Sequence, residues 1–132
     1  MAKDPTNRDR TTDLGVVRIN NEAITTIASI AAMEVKGVHR IGGGIRKTMY
    51  ELLFRKPSGR GVRIQMREAE VKLTVPIVVD YGVDIPRIAD EVQENVKRAV
   101  EKMAGLALSE VDVIVEGVHS QAFSDKKKEL KI

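Results

Sequence analysis

Two histidines, His39 and His119, are the side chains of this 132-residue sequence best suited to bind a metal or move a proton near neutral pH. Each follows a valine at the end of a segment that reads as a strand. Neither has a cysteine, histidine or acidic neighbour at a spacing typical of metal sites, so a metal centre would need ligands brought in by folding, and both are expected to be ordinary strand-end histidines. The chain has no cysteine, which removes thiolate ligands, disulfides and cysteine nucleophiles. No Gly-x-Ser-x-Gly elbow surrounds Ser58 or Ser109, both of which lie in turn-like sequence. Gly42, Gly43 and Gly44 could aim backbone N–H groups at a phosphate, but their setting fits neither GxxxxGK[ST] nor GxGxxG, and the plain reading is a flexible joint. Asp90 with Glu91, and Glu94 with Lys97 and Arg98, read as a solvated helix face. The residues therefore assign no catalytic group, no cofactor site and no metal site, and no small-molecule substrate is expected.

Charge is the one chemical feature that is unevenly distributed. The formal net charge is +3. Residues 45–67 hold Arg46, Lys47, Arg55, Lys56, Arg60, Arg63 and Arg67 against Glu51, a local +6. Residues 120–132 add +2, the first thirteen balance, and the remainder is −5. The seven basic residues are the candidate partner-binding set. They could face an acidic protein, an anionic membrane surface, or nucleic acid. Nucleic acid is the weaker fit: Tyr50 and Phe54 are the only aromatics in the basic stretch, too few for a stacking platform, and the acidic remainder repels phosphate. The same stretch could also pack on the domain itself with its cations merely solvated.

The elements that must position these groups follow from periodicity. Residues 1–13 contain Pro5 and no regular pattern, which reads as a leader without regular structure. LGVVRIN reads as a first strand. Ile24, Ile27, Ala28, Ala31 and Val35 then recur at helical spacing over about 21–36, with Asn20 and Asn21 available as caps and Gly37 as a stop. VHRI reads as a short strand. IRKTMYELLFRK would form a central helix about 18 Å long, with Ile45, Met49, Leu52 and Leu53 along one side. GVRIQMR alternates Val62, Ile64 and Met66 inward with Arg63, Gln65 and Arg67 outward. VKLTVPIVVD continues the alternation and ends apolar on both sides. Pro76 within it implies a bulge or an edge position, because proline cannot donate to a ladder. Asp84 caps a long helix whose stripe is Ile85, Ile88, Ala89, Val92, Val96, Val100 and Met103, and Gly105 closes it. LSEVDVIVEGV supplies the last strand, and residues 120–132 form a basic tail.

The order is β-α-β-(α)-β-β-α-β. Two helices with one apolar face each suit an α+β, two-layer fold with a mostly antiparallel sheet, both long helices on one face and the short basic helix inserted centrally. One domain spans 14–119. Each large aliphatic side chain in the stripe contributes roughly 1.5–3 kcal/mol on burial, so Val92→Asp or Val96→Asp is expected to unfold it.

The run GVVRINNEAITTIASIAAMEVKGVHRI, with Glu34, Val35, Lys36, Gly37 and Val38 at its end, resembles the opening signature of the alkaline-shock protein family. The stretch VVDYGVDIPRIADEVQENVKRAVEKMAGLALSEVDVIVEGV resembles the family's second signature, including Tyr81-Gly82, Val92-Gln93 and Met103-Ala104-Gly105-Leu106. The likeness runs from about Leu14 to His119. It implies a bacterial protein of the cell-envelope stress response without catalytic machinery, linked in some relatives to membrane lipid supply and in some to assembly with a membrane-anchored partner.

The longest apolar stretches are far shorter than the roughly 20 residues that cross a bilayer, and the N-terminus lacks a secretion-signal pattern. The expected location is cytoplasmic, with a peripheral place at the inner face of the membrane open. The expected function is a self-associating interaction or scaffold protein that binds a protein or membrane-surface partner. A nucleic-acid-binding module and a regulator of a lipid-synthesis enzyme are the alternatives.

Overall fold

The alternation of Val71, Leu73 and Val75, which runs on into the continuous apolar Ile77-Val78-Val79, becomes the strand around which the rest is arranged. The computed structural model describes residues 9–43, 61–68 and 70–122. In chain order its elements are β1 (Asp9–Thr12), β2 (Gly15–Arg18), α1 (Asn21–Met33), β3 (Val38–Ile41), β4 (Arg63–Arg67), β5 (Glu70–Asp80), α2 (Ile85–Ala104) and β6 (Glu110–His119). The expected α+β class holds. The central helix expected over 45–56 lies outside the described residues, as do residues 1–8 and 123–132.

Val71, Leu73, Val75, Ile77 and Val79 of β5 are at most 1% exposed and face the helices. The intervening Lys72, Thr74, Pro76, Val78 and Asp80 therefore lie on the opposite, outer face. β6 runs parallel to β5 from Lys72 to Asp80 and fills one of its edges. β4 pairs antiparallel with residues 70–74 of β5, and β3 pairs antiparallel with residues 77–79. Since β6 already covers that whole length, β3 and β4 must share the other edge, end to end. β5 is thus the central strand, which corrects the edge position that Pro76 suggested. The Pro76 carbonyl accepts from the Gly42 N–H at 2.9 Å. A residue's N and C=O point to the same edge of a strand, so the N–H that Pro76 lacks falls in the break between β4 and β3, where it removes nothing from a regular ladder.

Both helices pack on the inner face in one continuous core. From α1 the core takes Ile24, Ala28, Ala31 and Ala32, and Val35 follows. In α2 the buried residues are Ile88, Val92, Val96, Val100 and Ala104, spaced by four. Four residues overshoot a full turn by about 40°, so this contact line winds around the helix. Ile85 and Met103 accordingly fall beside it at the two ends, 37% and 68% exposed, although both belong to the expected stripe. The expected caps are formed at this helix: Asp84 Oδ1 accepts from the Arg87 N–H, and Gly105 takes the left-handed conformation at φ 69°.

LGVVRIN does form a strand, but not in the main sheet. β2 pairs with β1, which lies in the segment expected to carry no regular structure, and the two make a separate hairpin. Thr12 stabilises its turn, its hydroxyl accepting from the Leu14 N–H and donating to the Gly15 carbonyl. All four residues of β2 are exposed.

Candidate functional site

The outer face of the sheet collects groups that lie scattered along the chain. Arg63 and Arg67 of β4 stand on it as exposed side chains, opposite Thr74 and Glu70. Arg46, Lys47, Arg55, Lys56 and Arg60, the rest of the candidate basic set, lie outside the described residues. Beside Arg67 and Gln65, Lys72 is held by Asp112 at 3.0 Å and Glu110 at 3.7 Å. The hydrogen bond to the Asp112 carboxylate, and then its charge, hold the Lys72 ammonium above its ordinary value of 10.5.

At the far end of β5 three chemically capable side chains converge: His39, Asp80 and His119. Two irregularities in pairing bring this about. In regular register His39 would pair with Val79 and face the core. The shift between Val38 and Arg40 pairs Val38 with Val79 instead and turns His39 outward. On the other edge, the shift after Ile77 leaves Glu116 unpaired in the ladder and sets His119, rather than Val118, beside Asp80. His39 Nδ1 lies 3.4 Å from Asp80 Oδ1. The two imidazoles stack with centroids 3.7 Å apart and planes within 5°. Strands separated by a third lie about 10 Å apart, so both rings lean in over β5. The cluster is open to solvent, with Tyr81, Ser120 and Gln121 at its rim. Neither histidine shows a partner in the sequence because its partners lie on other strands. The one signal available is the repeated Gly-Val-His, at Gly37-Val38-His39 and again at Gly117-Val118-His119.

The other candidates have structural partners. The Gly43 N–H, one of the groups that could have cradled a phosphate, donates to Glu116 Oε1 at 2.7 Å, and that carboxylate would repel an anion. Ser109 Oγ donates to the Val71 carbonyl, which ties the start of β6 to β5. Arg87 and Glu91 form an ion pair one turn apart on the solvent side of α2. Gln93, part of the second signature, donates to the Val111 carbonyl along the edge of β6 that β5 does not occupy.

Two helices packed on one face of a four-stranded sheet, with a separate two-stranded hairpin beside it, define the class. The chain belongs to the alkaline-shock protein family, whose function is related to the cell envelope; the family model matches residues 9–120. It is similar to the uncharacterised protein YqhY of Bacillus subtilis (strain 168), 34% identical over 121 residues that cover 92% of this chain and 87% of that one. It is also similar to a stress response regulator gls24 homolog of Streptococcus pyogenes serotype M3 (strain ATCC BAA-595 / MGAS315), 26% identical over 125 residues, covering 93% of this chain and 70% of that one. Among solved structures a MamM-CTD variant aligns over 74% of this chain and 98% of its own, at 20% identity and a TM-score of 0.46. Among the described residues no helix is long and apolar enough to cross a membrane.

Proposed function

We propose that the protein is a non-enzymatic interaction protein of the envelope stress response, which self-associates and presents its basic segment to an acidic protein or membrane-surface partner. The observation that carries this reading is the β1–β2 hairpin. Leu14 is fully exposed, Val16 is 61% exposed and Val17 is 54% exposed. An isolated two-stranded sheet is marginal in water, and its open edges are templates for another strand. A second copy of the chain supplies both an apolar cover and a strand edge. The family's relation to the envelope and its stress-response relatives agree with a role in assembly rather than turnover.

The test is the mass of the full chain in solution by light scattering, beside a Val16→Lys, Val17→Glu variant. The expected result is an oligomer that the variant reduces to a monomer while α-helical circular dichroism is retained. A monomeric wild-type chain overturns self-association. Flotation with anionic but not neutral vesicles assigns the basic segment to a membrane surface. Salt-dependent binding to nucleic acid, lost in an Arg55→Glu, Arg60→Glu, Arg63→Glu variant, would instead support a nucleic-acid-binding module.

A further inference from the structure

The geometry points to a divalent metal site of the zinc, nickel and copper class at His39, Asp80 and His119. Two imidazole nitrogens and a carboxylate oxygen are the donor set that borderline cations take, whereas magnesium and calcium demand shells of oxygen. Three protein ligands leave a fourth position for water, the pattern of an open site rather than a closed structural one.

Distances agree with the donor set. Ligand bonds of about 2.0–2.1 Å place tetrahedral ligand atoms about 3.3 Å apart, and His39 Nδ1 lies 3.4 Å from Asp80 Oδ1. One donor atom from each of the three residues falls within 4.8 Å of the others. A cation must lie in the plane of each imidazole it binds, so the parallel rings must open on loading. Solvent exposure allows this: the His39 side chain is 38% exposed and the Asp80 side chain 48%. The placement is also costly to build. Each flanking strand gives up regular pairing where its histidine reaches the face of Asp80, and an exposed His39 ring against a half-buried His119 ring returns little packing energy.

The experiment titrates the full chain, stripped with a chelator, with zinc chloride alone in a calorimeter. One ion per chain is expected, with no competition from magnesium. His39→Gln and His119→Gln should each weaken binding about tenfold or more, at least the loss that outer-shell changes cause. Asp112→Asn, on the same face but outside the cluster, should leave it unchanged. Zinc should also shift the imidazole ring resonances of both His39 and His119 in the nuclear magnetic resonance spectrum, with one equivalent completing the change. Absence of zinc binding by the wild-type chain, or undiminished binding in the His39→Gln, His119→Gln double variant, overturns the site. If a variant fails to fold, the wild-type ring signals decide, and rings unmoved by zinc sink the inference.

Discussion

The backbone N–H of Gly43 donates to Oε1 of Glu116 at 2.7 Å, which joins the end of β3 to the bulge of β6 across the face of β5. Glu116 is the residue that the shift in β6 leaves without a partner on β5, and its carboxylate is put to use there. Glu116→Ala should destabilise the fold by about 1.5 kcal/mol, the low end for hydrogen bonds to a charged group because Gly43 is exposed. Urea unfolding of the two proteins measures the difference.

Gly61 and Gly105 both take positive φ, 93° and 69°, yet they should respond differently to alanine. At Gly105 an added Cβ meets nothing within 4 Å, so only the backbone cost of about 1 kcal/mol applies. At Gly61 it would run into the Gly42 carbonyl, where the two ends of the central segment cross. Gly61→Ala should therefore cost about 2 kcal/mol or more. Comparison of the two melting curves checks the order.

Asn95 ties the two helices together. Its Nδ2 donates to the Ala31 carbonyl at 2.7 Å and to Glu34 Oε1 at 3.3 Å. Ala31 lies in the last turn of α1, where carbonyls have no partner within the helix. Asn95→Leu should cost about 1–3 kcal/mol, because it leaves a partly buried acceptor unsatisfied. The loss should appear as a lower urea midpoint with an unchanged slope.

Val96 is fully buried at the middle of the α2 contact line. Val96→Asp should leave the domain unfolded, since an unpaired carboxylate there costs more than marginal stability can absorb. Val96→Ala should fold with a loss of about 2 kcal/mol. Circular dichroism and denaturant titration separate the two outcomes.

Lys72 sets an alkaline limit on one contribution to stability. Its partner Asp112 raises its pKa in the folded state above the 10.5 of the unfolded chain. The contribution is present in full below 10.5 and is lost as pH rises through the higher folded value. The stability difference between wild type and Lys72→Met should hold constant up to about pH 10.5 and shrink above it. Urea midpoints of both proteins across an alkaline pH series test this.

Local pattern carries much of the fold into view. The boundaries of α2 are readable because Asp84 and Gly105 act within a few residues of themselves, and α1 is readable from its apolar spacing, although it ends at Met33, three residues short of the 36 expected from Gly37 as its stop. The face of β5 is readable because a pleat alternates. What local pattern does not supply is the pairing. LGVVRIN reads as a strand wherever its partner lies, and only tertiary structure assigns it to β1 instead of the main sheet. Pro76 signals an interruption in a ladder without saying that the interruption belongs to the neighbouring edge.

By itself, then, the sequence determined both long helices, most strands of the main sheet, the inward face of β5, the absence of cysteine chemistry and the family signatures, all of which depend on residues near one another in the chain. Tertiary structure alone decided that His39, Asp80 and His119 meet. That outcome rests on β3 and β6 flanking β5 and on one register shift in each flanking strand. A single-residue shift turns a side chain from one face of a sheet to the other while leaving the composition and periodicity of its own strand almost unaltered.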